Sequence, residues 1–339
     1  MNKLKTLGLT ALAGSLAVTT ANAADYVLSG DTAIKYSTIE SASGSTLGSG
    51  EGFAGDTSLY FDVTGELDNG WTVGYHIDVD NATGNMSATS TQIAIGMGSM
   101  GTIQINQIGG AKANGIDDVT PTAYGESWDE TGSGDPSFFG DSTHKGSIQY
   151  GAPALEAAGA TIGLTLGYDP SSDEVTAGPG SVVTTSSNTG TFAVLTIDHE
   201  SGLSIGGGIE KVKTNENRNE GGSADKDEES VTAYAKYTMG PISVGYQEAY
   251  QDTLDGGADL SGQMFGIAYT VGDLSLSYGE STATTEAASG TAAVDVDMDA
   301  IGFSYTMGSM TIGGQHGESS TSAGGASQEE TELRIGFSF

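Results

Sequence analysis

The stretch DTSLYFDVTGELDNGWTVGYHIDVD, from Asp56 to Asp80, decides the fold class because its hydrophobic residues alternate with polar ones. Alternation with a period of two is typical of a β-strand that has one apolar and one polar face. Asn69-Gly70 interrupts the pattern, and this pair between two strands is a strong signal for a tight hairpin turn. The stretch therefore predicts a β-hairpin.

The same hairpin unit recurs along the chain. Near copies are YTMGPISVGYQ at 237–247, YTVGDLSLSYG at 269–279 and YTMGSMTIGGQ at 305–315, each with a glycine-containing turn between two strands. Longer links rich in Gly, Ser, Thr, Asp and Glu separate these units. The alternation predicts sixteen strands, of which the second covers 54–66 and the last 330–339, and the link 109–146 is the longest.

The two faces of the predicted strands differ in a way that indicates a membrane barrel. One face carries aliphatic and aromatic residues, and the other carries mainly Ser, Thr and Gly. Small polar residues suit the lining of a wide water-filled tube, and tyrosines near strand ends suit a membrane interface. We predict an all-β fold, a sixteen-stranded antiparallel transmembrane β-barrel formed by residues 24–339. Closure leaves no unpaired strand edge in lipid.

The N-terminus predicts export. Lys3 and Lys5 precede a mostly apolar stretch at 7–18, and Ala-Asn-Ala at 21–23 is a cleavage site for a signal peptide. We expect residues 1–23 to be removed. The chain has no cysteine, so no disulfide framework stabilises it.

The composition is strongly acidic. The chain has 44 Asp and Glu residues against 11 Lys and Arg, which gives a net charge of −33. Nucleic-acid binding requires a basic surface, so no nucleic-acid partner is expected. The charge favours cations as partners instead.

The last strand also alternates and ends on an aromatic residue, in ELRIGFSF at 332–339. We expect it to pair with the first strand, Tyr26–Ile39. A signal peptide, sixteen alternating strands, a long third loop and a terminal Phe together resemble the general trimeric porins of Gram-negative bacteria, most closely the alpha-proteobacterial kind. The resemblance implies a homotrimer surrounded by outer-membrane lipid and lipopolysaccharide. It also implies passive diffusion without a cofactor, and an assembly signal at Phe337 and Phe339 that the outer-membrane assembly machinery reads.

The resemblance further implies that the link 109–146 folds into the barrel and narrows the pore; the alternative is an external surface loop. Trp128, Phe138 and Phe139 could anchor the segment to the wall. The carboxylates that we expect at the constriction are Asp117, Asp118, Glu126, Asp129, Glu130 and Asp135.

The predicted pore wall carries charges of both signs. The family usually places basic residues opposite the acidic loop, whereas this chain has few of them. The lumen-facing residues that we expect to matter are Lys35, Arg334, Asp31, Asp62 and Lys236. Because acidic residues predominate, we predict a pore that attracts cations, unless salt screens its fixed charges.

Two further features suggest other functions. Asp295, Asp297 and Asp299 share one face of a strand end and could hold Ca²⁺, although a solvated rim is the preferred interpretation. The four histidines lie in no catalytic motif, so we predict no enzymatic activity. The alternatives to a diffusion porin are a solute-selective channel with a binding site in 109–146 and a secreted calcium-binding adhesin.

Overall fold

The fold is that of a computed structural model, which describes residues 24–41, 49–81, 86–129, 135–139, 146–170, 189–213, 227–253, 258–286, 292–323 and 327–339. The predicted signal peptide, residues 1–23, lies outside the described residues.

Alternating sequence produces long antiparallel strands throughout the described part of the chain. Their bounds are β1 Asp25–Ser41, β2 Gly50–Glu66, β3 Thr72–Asp80, β4 Ser87–Gly96, β5 Thr102–Ile108, β6 Ile148–Gly151, β7 Leu155–Ala157, β8 Ala160–Asp169, β9 Thr189–His199, β10 Leu203–Lys213, β11 Glu228–Met239, β12 Ile242–Thr253, β13 Asp259–Val271, β14 Leu274–Glu286, β15 Val294–Met307, β16 Met310–Thr321 and β17 Ser327–Ser338.

These strands close into a barrel. Neighbours in the chain are neighbours in the sheet, and β17 pairs with β1 in an antiparallel register that sets Arg334 opposite Lys35. β6 and β7 both pair with β8 and together form one strand of the wall. The described residues therefore form a sixteen-stranded barrel, which confirms the predicted fold class.

The closing strand is bonded along its whole length. The amide of Phe339 donates to the carbonyl of Gly30 at 2.9 Å, and the amide of Gly30 donates back to Phe339 at 3.0 Å. The rings of Phe337 and Phe339 are about half exposed on the outer face. Their predicted role as an assembly signal stays a prediction.

The outer face of the barrel is apolar and exposed. Ile34, Ile301 and Leu333 keep 65%, 57% and 50% of their surface accessible. An exposed apolar surface of this extent is unusual for a protein surrounded by water, but it suits contact with lipid.

Short turns connect the strands at one end. In the three near-copy turns, Gly240, Gly272 and Gly308 adopt positive φ angles of 57°, 59° and 65°, a conformation that side chains with a Cβ rarely adopt. The described helices are two short 3₁₀ turns, Gly98–Met100 and Asn114–Ile116. Neither is long and apolar enough to cross a membrane.

Candidate functional site inside the barrel

The segment after β5, described at 109–129 and 135–139, crosses the polar inner face of the barrel, and we call it the crossing segment. It forms hydrogen bonds with inward-facing side chains of strands that are distant from β5. The amide of Val119 donates to Gln247 of β12 at 2.9 Å, and the amide of Ala123 donates to Ser277 of β14 at 2.9 Å. The amide of Gly125 donates to Gln315 of β16 at 3.0 Å.

Gln247 makes the largest number of these bonds. Its side chain is fully buried, and its amide nitrogen donates to the carbonyls of Ile116 and Asp117 at 2.9 and 2.7 Å. It also donates to the hydroxyl of Thr232 at 2.8 Å, while its oxygen accepts from Val119. One wall residue therefore satisfies three backbone groups of the crossing segment.

Apolar contacts hold the same segment at two points. Phe139 and Ile116 pack with Phe192 and Val194 of β9 in one buried cluster. Trp128 belongs to a second cluster, with Phe138 against its edge; the wall residues of this second cluster are Ala249, Met264, Ala283 and Met298. The aromatic residues expected to anchor the segment thus lie against the wall.

Glycines in the wall leave the space that the segment fills. A Cβ added to Gly245 would lie 2.7 Å from Cδ of Pro121, and one added to Gly266 would lie 2.8 Å from the Pro121 carbonyl oxygen. A Cβ on Gly313 would lie 2.7 Å from the ring of Tyr124. We call Gly245, Gly266 and Gly313 the seat glycines. Real Cβ atoms essentially never approach other atoms so closely, so larger residues at the seat glycines would displace the segment.

The carboxylates of the segment lie close enough to influence one another. Burial, followed by the charge of Asp118, raises the pKa of Asp117 to about 8. Burial, followed by a hydrogen bond and the charge of Asp129, raises the pKa of Glu126 to about 8. Burial also raises the pKa of Asp118, and the charge of Asp135 adds to the effect. Part of the predicted acidic loop is therefore protonated at neutral pH.

A mixed-charge network lies on the wall where β17 meets β1 and β2. Lys35 lies 3.3 Å from Glu332 and 3.6 Å from Asp56. Arg334 lies 3.6 Å from both Asp31 and Asp56. Each of the two bases thus has two carboxylate neighbours, and three carboxylates surround two positive charges.

The crossing segment and this network meet at a cavity. The hydroxyl of Tyr124 donates to Glu332, which joins the segment to the wall network. A cavity of about 380 Å³ lies between them, with Asp129 and Tyr124 on the side of the segment and Lys35, Asp56 and Arg334 on the side of the wall.

The remaining predicted residues lie apart from the cavity. Asp62 of β2 bonds to His76 of β3 at 2.7 Å, and Lys236 of β11 lies opposite Gly245. Glu130 lies outside the described residues. None of these placements tests the predicted roles.

The three aspartates proposed for calcium do not converge on one point. They alternate along β15, so that neighbours are about 7 Å apart. Asp295 accepts from Thr284 at 2.9 Å, and Asp297 accepts from Thr282 at 2.8 Å. The calcium site stays a prediction.

Sequence reasoning missed several residues that build this site. Gln247, Gln315, Glu332 and Tyr124 form the bonds between the segment and the wall. Strand alternation places Glu332 on the same face as Arg334, which was the available signal. A lone glutamine on the polar face carries no comparable signal.

Known proteins resemble this chain in sequence profile and in fold. The profile described as Gram-negative porin matches residues 8–339, whereas no curated relative matches the sequence significantly. The structure is similar to an anion-selective porin from Comamonas acidovorans, with 14% identity, a TM-score of 0.69 and coverage of 94% of this chain and 100% of that chain.

Two other solved structures give similar values. One is a trimer form of OmpT, an outer membrane protein of Vibrio cholerae, with 14% identity, a TM-score of 0.63 and coverage of 94% and 100%. The other is a variant of the Rh. blastica porin, with 15% identity, a TM-score of 0.55 and coverage of 93% and 100%. At these identities the likeness shows the fold.

Proposed function

Since the chain belongs to the Gram-negative porin family, it forms an outer-membrane channel, and we propose that this channel lets small hydrophilic solutes diffuse passively with a preference for cations. Membership of this family favours a channel over a calcium-binding adhesin. We include in the proposal that the chain has no enzymatic activity, that residues 1–23 are cleaved on export, and that the mature chain forms a homotrimer. The Vibrio cholerae relative described as a trimer form supports the last point.

We further propose that the crossing segment within 109–146 sets the size limit of the pore. Its bonds to β12, β14 and β16 support this role, because they hold it across the lumen at a distance from β5. The Asp129 carboxylate lines the cavity that remains beside the wall. Solutes that pass this cavity move between the segment and the network of Lys35 and Arg334.

The charge balance at this cavity carries the proposed selectivity. The bases Lys35 and Arg334 are matched by Asp31, Asp56 and Glu332, and Asp129 adds a further carboxylate. A pore lined by a net negative charge attracts cations and repels anions. The porin from Comamonas acidovorans is described as anion-selective. Because its identity to this chain is low, the likeness shows a shared fold and does not extend to ion selectivity.

The proposal is tested by the reversal potential of the purified protein in a planar bilayer under a salt gradient, with Asp129→Asn beside the natural protein. A unit charge about 8 Å from the ion path in water contributes about 0.5 kcal/mol. The same charge attracts a cation and repels an anion, so we expect Asp129→Asn to lower the cation-to-anion permeability ratio about fivefold.

Glu248→Gln is the matched control, since it also removes one carboxylate, but on the outer face. The Glu248 carboxylate accepts a hydrogen bond from Tyr246, which is exposed on that face. It should leave the ratio unchanged. An anion-favouring potential for the natural protein would overturn the proposed selectivity. Equal shifts of the reversal potential in Asp129→Asn and Glu248→Gln would show that Asp129 does not lie beside the ion path.

A further inference from the structure

Outside the pore, three side chains of β16 and β17 converge on the outer face. The Nε2 atom of His316 lies 3.8 Å from Oε1 of Glu318 and 3.6 Å from Oε1 of Glu329. Each of the three residues offers one ligand atom, and these three atoms lie within 4.8 Å of one another. Gln315 of β16 and Glu332 of β17 face the crossing segment inside the barrel. Because side chains alternate between the two faces of a strand, His316, Glu318 and Glu329 face away from the lumen.

We propose that His316, Glu318 and Glu329 form a site for a divalent transition metal of the Zn²⁺ type. One imidazole and two carboxylates are ligands that zinc accepts, and zinc sites with three protein ligands leave a fourth position open for water. Tetrahedral ligands about 2.0–2.2 Å from zinc lie about 3.3–3.6 Å from one another. Rotamer adjustments of a few tenths of an ångström would bring the two Glu oxygens to that distance from His316.

A second contact orients the imidazole. The Nδ1 atom of His316 is 2.8 Å from the hydroxyl of Thr331, its register partner on β17. The opposite ring nitrogen is therefore the one that points to the two carboxylates. Hydrogen bonds of this kind, on the ring nitrogen away from the metal, fix ring orientation at metal sites.

The surroundings add negative charge and space. Asp299 is the register partner of Glu318, and Glu40 is the register partner of Glu329. Together these four carboxylates border a concavity of about 370 Å³. Glu318 and Glu329 keep 62% and 51% of their side-chain surface exposed, so an ion can enter from solvent.

The inference is tested by zinc retained per chain after equilibrium dialysis of the folded, detergent-solubilised protein. We expect His316→Ala to retain one Zn²⁺ fewer per chain than the natural protein. We expect Glu329→Gln and Thr331→Val each to weaken binding at least tenfold. His199→Ala is the matched control, because His199 bonds to Ser201 beside a short turn and should leave zinc retention unchanged.

Cobalt(II) supplies a second readout, since its visible absorption reports tetrahedral coordination and should disappear in His316→Ala. Folding of each variant is checked by single-channel conductance, which these outward-facing residues should not change. Equal zinc retention by the natural protein and His316→Ala would overturn the site. Complete displacement of zinc by an equal concentration of Ca²⁺ would also overturn it, because it would indicate an unselective carboxylate surface.

Discussion

At the scale of single residues, Asp117 and Glu126 make the pore sensitive to pH. Burial raises the pKa of each carboxyl to about 8, whereas their ordinary values are 3.8 and 4.5. Both groups are thus neutral near pH 6 and charged above pH 9. We expect the cation preference to increase as the pH rises through 8, as read from the reversal potential between pH 6 and pH 9.

The same shifts have a consequence for how firmly the segment is held. Because the folded pKa lies above the unfolded one, the folded state binds more protons. The stabilisation of the folded state by these two protonated carboxyls is fully present below about pH 4 and is lost as the pH rises towards 8.

The double variant Asp117→Asn, Glu126→Gln should show a flatter pH profile of cation selectivity than the natural protein. A profile as steep as that of the natural protein would show that other groups titrate.

Residue placement was predictable only where strand alternation fixes a face. Alternation assigned Lys35 and Arg334 to the lumen, and the pairing of the first and last strands brought them opposite each other. The partners of these bases and the bonds of Gln247 depend on where the crossing segment lies. That segment has no repeating pattern from which a contact could be derived.

At the scale of elements, the strands could be predicted from the alternation of apolar and polar residues, but the positions of their ends could not. β2 begins at Gly50 and β17 at Ser327, a few residues before the predicted starts at 54 and 330. Beyond the apolar band both faces are polar, so the pattern disappears while backbone pairing continues. The wall strand formed by β6 and β7 is interrupted around Pro153, which has no N–H to donate.

The fit between the crossing segment and the wall depends on the seat glycines. In Gly245→Ala, the new methyl group would lie 2.7 Å from Cδ of Pro121, and overpacking of this kind costs about 1–3 kcal/mol. The substitution pushes the segment off β12 and towards the opposite wall. We therefore expect a lower single-channel conductance.

Gly65→Ala is the control for this prediction, because a Cβ there has no neighbour within 4 Å. It should leave conductance at the natural value. Should Gly245→Ala also conduct normally, the segment would not rest on β12 in the way its bonds to Gln247 indicate.

At the scale of the whole molecule, the net charge of −33 makes selectivity depend on salt. The outer face is apolar in its central band, so the charges lie in the lumen, the links and the strand ends. Fixed charges act over about 10 Å at 0.1 M salt but over about 3 Å at 1 M. At the lower concentration many carboxylates act on each ion; at the higher one only those beside its path do.

We therefore expect the cation-to-anion permeability ratio to fall as mean salt rises from about 0.1 to about 1 M at a fixed gradient. The carboxylate of Asp129, which lines the cavity about 8 Å from the ion path, lies within the screening length at 0.1 M but beyond it at 1 M, so the effect of Asp129→Asn on the ratio should be greatest at low salt. Flux of an uncharged sugar serves as the control, since screening leaves it unchanged. A ratio that stays constant across this range would mean that selectivity arises from groups in direct contact with the ion and that the overall charge contributes nothing.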